Sequence, residues 1–317
     1  MLPYAVPLTE RFAIDHGPWI RRELTDYHLP AAAAPPGELD TLQTFSREWT
    51  DYAWKESAYW ATNPKNLLAS MRYALGTERR PLAGKLVLEV GMGVGGIASL
   101  LAENEGCETV GMDLSYSVDQ AMAAFRANSS LHIVQGSLFF PPFRAATFDL
   151  VYSQGVLHHT YSTEAAFASI ARLPRTQGWL YVWLYSHQQE GATPLRRILM
   201  RIEKIVRPRL TAMPDRLQTI ALAPTIPVYL AYQNVYRRWR HGETAAKYGF
   251  REAYHAARDR LTPPFAFRHS YEEVMNWFAE QGYGNLELLR NETPPPEVLA
   301  TFWINVGIRG QRLVPTH

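Results

Sequence analysis

A single cysteine, Cys107, stands in a chain of 317 residues. One thiol builds neither a disulfide framework nor a zinc-finger-like site, and it fits a reducing compartment, so a cytoplasmic protein is expected. Long apolar runs are missing as well. None approaches the roughly 18 uncharged residues needed to span a bilayer. The apolar start MLPYAVPL has no basic residue ahead of it and soon meets Glu10, Arg11 and Asp15, which argues against a secretory leader. The net charge is only +2, and no nucleic-acid-binding module is legible, so no nucleic acid is expected as partner. The histidines are scattered without ligand spacing, so no metal is expected either. What the chain does contain is 47% hydrophobic residues against 20% charged. That is enough for a conventional core in one large domain with additions.

The near-neutral total hides an asymmetry. Residues 188–262 hold 14 Lys/Arg against 6 Asp/Glu, and the remainder holds 18 against 24. The positive charge therefore belongs to one segment. Its helical patterns place Leu195, Ile198, Leu199, Ile202, Ile205 and Val206 on one face, and PVYLAYQNVYRRWR repeats the idea with aromatics.

The spacing divides the chain into four parts: a helix-like preface (1–80) broken by PAAAAPPG, an alternating strand and helix region (81–187), the basic insertion (188–262), and a returning α/β part (263–317). In the alternating region KLVLEV, TVGMDL, LHIVQG, FDLVYS and GWLYVWLY read as five strands. Ser117 with Gln120 and Ser270 with Glu273 have the spacing of capping boxes before helices. NLELL and FWINVGI (302–308) read as the last two strands. Strands alternating with helices imply a parallel sheet with right-handed crossovers.

The most informative stretch is LVLEVGMGVGG at 86–96. A strand feeds a helix through a turn too tight for side chains, where backbone N–H groups and a helix N-terminus meet a polar ligand. Gly91, Gly93 and Gly95 fit E-x-G-x-G-x-G, and Gly91, Gly93 and Gly96 equally fit the dinucleotide fingerprint G-x-G-x-x-G. Glu89 favours the first: a carboxylate at the strand tip accepts from an ammonium and repels a pyrophosphate. Asp113, closing the second strand, suits ribose hydroxyls in both families.

With GMDLS, QGSLFFPPF and FDLVYSQGVLHHT following in order, the chain resembles a class I S-adenosylmethionine (SAM)-dependent methyltransferase, of the broad group that includes the ubiquinone/menaquinone C-methyltransferases and small-molecule tailoring enzymes. The resemblance runs from Lys85 to Tyr185 and returns from about Pro263 to Ile308. It implies a Rossmann-like, mostly parallel sheet with an antiparallel last strand, an N-terminal helical lid and an inserted helical cap. It implies that Gly91, Gly93 and Gly95 wrap the methionine part of SAM, with Glu89 beneath its amino group. Asp113 would hold the ribose, Leu114 cover the adenine, and Ser137 and Leu138 meet the adenine's polar edge. Ser153 and Gln154 lie where the family places backbone contacts. Three positions depart from the family pattern: Ser137 replaces an Asp after Gly136, Met92 replaces a Cys, and Gln177 replaces a glycine.

His159 and His158, just past the fourth strand, are the candidate general bases. Among the preface aromatics Trp49, Trp54, Tyr59 and Trp60, the last two are the expected lid residues over the substrate. The expected acceptor is a small-molecule or lipid-like metabolite, methylated at oxygen or carbon rather than nitrogen. The charge of the insertion suits an anionic or carrier-bound acceptor or a membrane surface, and its aromatics suit a homodimer surface. A dinucleotide-dependent oxidoreductase and a non-catalytic binding protein are the two other readings.

Overall fold

The computed structural model describes residues 19–21, 26–28, 37–50, 63–187, 194–241, 247–296, 298 and 305–313. Its centre is the sheet that the spacing predicts. The core strands are β3 (Leu86–Val90), β4 (Glu108–Asp113), β5 (Leu131–Gln135), β6 (Phe148–Gln154) and β7 (Pro174–Leu184), joined by β8 (Tyr283–Leu288) and β9 (Val306–Arg312). Two short strands, β1 (Trp19–Arg21) and β2 (Asp26–His28), extend one edge, giving the order β1-β2-β5-β4-β3-β6-β7-β9-β8. All pairings from β2 through β7 are parallel, and β9 runs antiparallel between β7 and β8. The preface is thus not helical throughout: β1 and β2 form an antiparallel pair that adds to the open edge of β5. Capping an edge strand in this way satisfies backbone groups that would otherwise stay unpaired.

The central strands are buried on both faces, as a parallel sheet requires. Leu88, Val90 and Val151 pack with Phe167, Ile170 and Phe278 on one side. Val87, Leu150 and Tyr152 pack with Met71, Leu75 and Leu101 on the other. Helices α1 (Glu38–Thr50) and α2 (Pro64–Leu75) precede the sheet. Helices α3 (Gly96–Asn104), α4 (Ser117–Phe125) and α5 (Thr163–Ala171) make crossovers, and α11 (Tyr271–Glu280) returns before β8. The last of these begins with the expected capping box, Ser270 accepting from Glu273 N–H. The other expected box is not formed. Ser117 instead donates to the Gly93 carbonyl at 2.8 Å and pairs with Ser115, so its hydroxyl ties α4 to the glycine loop rather than capping its own helix.

Between β7 and α11 the insertion forms α6 (Pro194–Thr211), α7 (Asp215–Leu222), α8 (Ile226–Ala231), a π-helical turn (Tyr232–Arg237), α9 (Arg238–His241) and α10 (Phe250–Leu261). Gln177, in the first part of β7 where its pairing with β6 shifts register, holds φ of +67°, the left-handed region in which a glycine carries no steric cost.

Candidate functional site

The glycine loop folds as the spacing requires. Gly91, Gly93 and Gly95 have φ of +80°, +55° and +79°. A Cβ on Gly91 would meet Val156 at 2.3 Å, so both the backbone twist and the close approach exclude a side chain there. The N–H groups of Gly91 and Met92 donate to the Met112 carbonyl at the tip of the neighbouring strand. Gly95 is the N-cap of α3.

The loop borders a cavity of about 570 Å³ at the carboxyl ends of the parallel strands, where open α/β sheets take their ligands. Glu89, Gly91, Gly93, Asp113, Leu114, Leu138, Gln154 and His159 line it. Gly95, Ser137, Ser153 and His158 lie behind that wall. Ser153 donates to the Val90 carbonyl at 3.0 Å, and the Ser137 hydroxyl accepts from Phe139 N–H at 3.1 Å. Tyr59 and Trp60, the expected lid residues, lie outside the described residues. Trp49 of the same preface does cover the loop: a Cβ on Gly93 would sit 3.1 Å from its ring.

Two carboxylates define the polar end. Asp113 accepts from Gly93 N–H at 2.8 Å through one oxygen, and from Ser115 N–H and Oγ at 2.8 and 2.7 Å through the other. Burial raises its pKa, against the opposing pull of these donors. Glu89 sits mid-sheet between Gly111 and Tyr152. Burial pushes its carboxyl up to about 8, opposed by the Tyr152 hydroxyl and a backbone donor and reinforced by the charge of Asp113. Its Oε2 is buried without a hydrogen-bond partner. An orphaned carboxylate oxygen in a cavity wall is costly unless a donor arrives from outside, and an ammonium group is the donor that suits it best.

The two histidines separate cleanly. His158 is fully buried, its ring 3.9 Å from that of Tyr185 between centroids, and neither nitrogen has a hydrogen-bond partner. Burial holds its pKa well below the ordinary value. His159 reaches the cavity, and its Nδ1–H donates to the Phe265 carbonyl at 2.8 Å. A carbonyl only accepts, so Nδ1 carries the proton and Nε2 keeps its lone pair. Burial lowers the His159 pKa to about 4, so the ring is neutral at physiological pH.

Several lining residues come from distant elements. Glu38, Phe45 and Trp49 arrive on α1, Trp183 and Tyr185 from the end of β7, and Asp259 on α10 of the insertion. Phe45 stands edge-on to His159 with centroids 5.4 Å apart. Burial raises the pKa of the buried Glu38 carboxyl, opposed by the Ser137 hydroxyl beside it. A carboxylate is thus present beside the position where the family pattern has an Asp and this chain has Ser137. The buried Glu48, 3.8 Å from Arg258, fastens α1 to α10. No Lys or Arg lines the cavity among the described residues, whereas four acids do. Among the described residues of the basic insertion, Asp259 is the charged residue that lines the cavity.

Comparison with known proteins agrees with this geometry. Residues 88–182 match the family model of the methyltransferase domain. A sterol 24-C-methyltransferase of Schizosaccharomyces pombe is 28% identical over 158 residues, which is 46% of this chain and 42% of that protein. A second, from Eremothecium gossypii, is 32% identical over 128 residues, 38% of this chain and 34% of its own length. The chain thus spans less than half the length of these curated relatives. Among solved structures, magnesium protoporphyrin IX methyltransferase from Synechocystis PCC 6803 with bound SAH superposes with a TM-score of 0.52 at 14% identity, covering 87% of this chain and 99% of that one. That likeness is one of fold. With the strand order above, it gives this chain the Rossmann-like sheet of a class I methyltransferase.

Proposed function

We propose that this protein is a SAM-dependent methyltransferase whose acceptor is neutral, largely apolar and lipid-like. The observation that carries the cofactor reading is Glu89: a buried carboxylate with an unpartnered oxygen in the wall of the cavity, beside the glycine loop. A wall with four acids and, among the described residues, no cation offers a dinucleotide pyrophosphate no charged partner and suits a ligand carrying an ammonium and a sulfonium, whose approach favours the ionised acids.

When bound, SAM supplies a methyl group on a sulfonium that leaves readily. The chain's own residues then have three tasks. Glu89 and Asp113 would hold the amino and ribose ends, with Leu114 and Leu138 beside the adenine and Glu38 and Ser137 at its polar edge. Phe45, Trp49, Tyr161 and Tyr185 exclude water and align the acceptor with the reacting carbon, the main catalytic contribution such a reaction needs. His159, neutral with Nε2 unprotonated, accepts a proton from the acceptor or from the methylated product. A base of this low basicity suits a strongly acidic proton better than an alcohol's, which favours methylation at carbon. The sterol methyltransferase relatives and the apolar wall support a lipid-like acceptor. The narrower likeness to quinone C-methyltransferases belongs to the same reading, since it too names an apolar acceptor methylated at carbon.

The deciding experiment is calorimetric titration with S-adenosylhomocysteine and, separately, NAD, on the wild type and Asp113→Asn. Binding of S-adenosylhomocysteine alone, weakened in the variant, is expected. Binding of NAD alone would replace the reading with an oxidoreductase. Binding of neither would favour a non-catalytic protein on this fold.

A further inference from the structure

The insertion packs a small apolar core, Leu210, Leu222 and Ala257 with Val206, Tyr229, Tyr254 and Leu261 against it, yet leaves much of its apolar surface outside. On α6 part of the apolar stripe legible in the sequence turns outward: Val206 packs inward against Leu210 and Leu222, and the side chains of Leu195, Ile198 and Leu199 lie outside the described residues. Ile202 and Ile205 are 50% and 59% exposed, while the buried residues of the same helix include Glu203 and Arg207 as well as Met200 and Leu210. Glu203 is paired within the protein, to Arg207 and at 2.9 Å to Arg260. On α7 Gln218 is buried, donating to the Leu210 carbonyl at 2.9 Å, and Ile220 is 68% exposed. From α8 through the π-turn to α9, Val228, Val235 and Trp239 lie outward at helical spacing, with Gln233 inward; Trp239 is 81% exposed. Most of the exposed large apolar residues described anywhere in the chain belong to this segment.

The charges sort the same way. Among residues 194–262 whose side chains are described, every exposed charge is positive, including Arg201, Lys204, Arg209 and Arg216. The acids whose side chains are described are withdrawn: Glu203 is buried, Glu252 caps α10, and Asp259 lines the cavity. An outward surface of Ile, Val and Trp whose described exposed charges are all cations is costly in water. It is complementary to a lipid surface carrying anionic headgroups, where apolar residues enter the acyl boundary and Lys/Arg stay among the phosphates.

We propose that the helices α6 to α9 are a docking face for an anionic bilayer surface, on which the protein rests peripherally. No described helix is long and apolar enough to cross a membrane, so the contact is interfacial. The surface stands on the insertion's own exposure and charge and does not depend on the acceptor reading, although Asp259 on α10 joins the same insertion to the cavity.

The test is sedimentation of the full chain with vesicles of phosphatidylcholine alone and of phosphatidylcholine mixed with phosphatidylglycerol, at low and high salt. Binding to the mixed vesicles, weakened by salt, is expected. Val235→Ser with Trp239→Ser should reduce partitioning by on the order of tenfold or more, with S-adenosylhomocysteine affinity unchanged as the control for folding. Absence of binding to mixed vesicles overturns the proposal, as does binding that the double variant leaves untouched. A wild-type dimer that the double variant makes monomeric, without vesicle binding, would instead make the face an interface between two copies.

Discussion

Glu89 offers the sharpest test of the site, because burial ties its charge to both ligand affinity and stability. Its ordinary pKa of 4.5 is pushed up to about 8, so in the free protein at pH 7 only about one carboxyl in eleven is ionised. A ligand ammonium needs the ionised form. Ionising the group at pH 7 costs about 1.4 kcal/mol, and the proton leaves as the ligand enters. The dissociation constant of S-adenosylhomocysteine should therefore fall about tenfold per pH unit between pH 6 and 7.5. Calorimetry in buffers of different ionisation enthalpy should show close to one proton released. The Glu89→Gln variant cannot ionise. It loses a charge-assisted hydrogen bond of about 1.5–3 kcal/mol at pH 7.5, and its affinity should be flat across the same range.

Stability runs the other way. Because the folded pKa lies above the unfolded one, the contribution is fully present below pH 4.5 and is lost as pH rises toward 8. At pH 7 the free wild type has given up on the order of 3 kcal/mol on this account. Glu89→Gln should thus melt higher than the ligand-free wild type at pH 7, with the gap closing toward pH 4.5. A variant that binds S-adenosylhomocysteine as the wild type does, with the same pH slope, would refute the assignment of Glu89. A variant less stable at pH 7 would refute the burial argument.

Three further outcomes are expected. Asp113→Asn keeps one accepting oxygen but loses part of the bonding to Gly93 and Ser115; it should lose about 1–3 kcal/mol of stability and weaken S-adenosylhomocysteine binding at least tenfold, and wild-type affinity by calorimetry would remove Asp113 from the ribose site. His159→Gln should lower turnover by about a hundredfold or more while cofactor affinity stays within a few-fold; with a pKa near 4, His159 should leave no inflection in the wild-type rate profile between pH 6 and 8. Gln177→Gly relieves a left-handed backbone worth about 1 kcal/mol but removes the side-chain bond from Gln311; the urea midpoint should stay level or rise slightly, and a clear fall would show that the pairing outweighs the strain.

What the chain order made legible is local chemistry. The strands β3 to β7 follow from apolar runs bounded by turns, and the glycine loop, Glu89 and Asp113 follow from spacing within one strand–helix–strand unit, where neighbours in sequence are neighbours in space. The capping box at Ser270 belongs to the same class. Ser117 shows the limit: its spacing to Gln120 is that of a cap, yet a competing acceptor, the Gly93 carbonyl, lies 24 positions away and takes the hydroxyl.

The rest is decided by which elements meet. Glu38, Phe45, Tyr185 and Asp259 reach one cavity from α1, β7 and α10, and no local pattern distinguishes them from other acids and aromatics. His158 and His159 are adjacent in the chain, but only the packed structure puts one behind the wall and ties the other to Phe265. Periodicity placed Ile202, Ile205 and Val206 on one face of α6 while leaving open which of them the protein covers: Val206 packs inward and the two isoleucines stand outside. A helical wheel records that apolar residues share a face, and the direction of that face depends on the neighbours. Here Glu203 and Arg207 turn inward as a paired set and Ile202 and Ile205 turn to the outside.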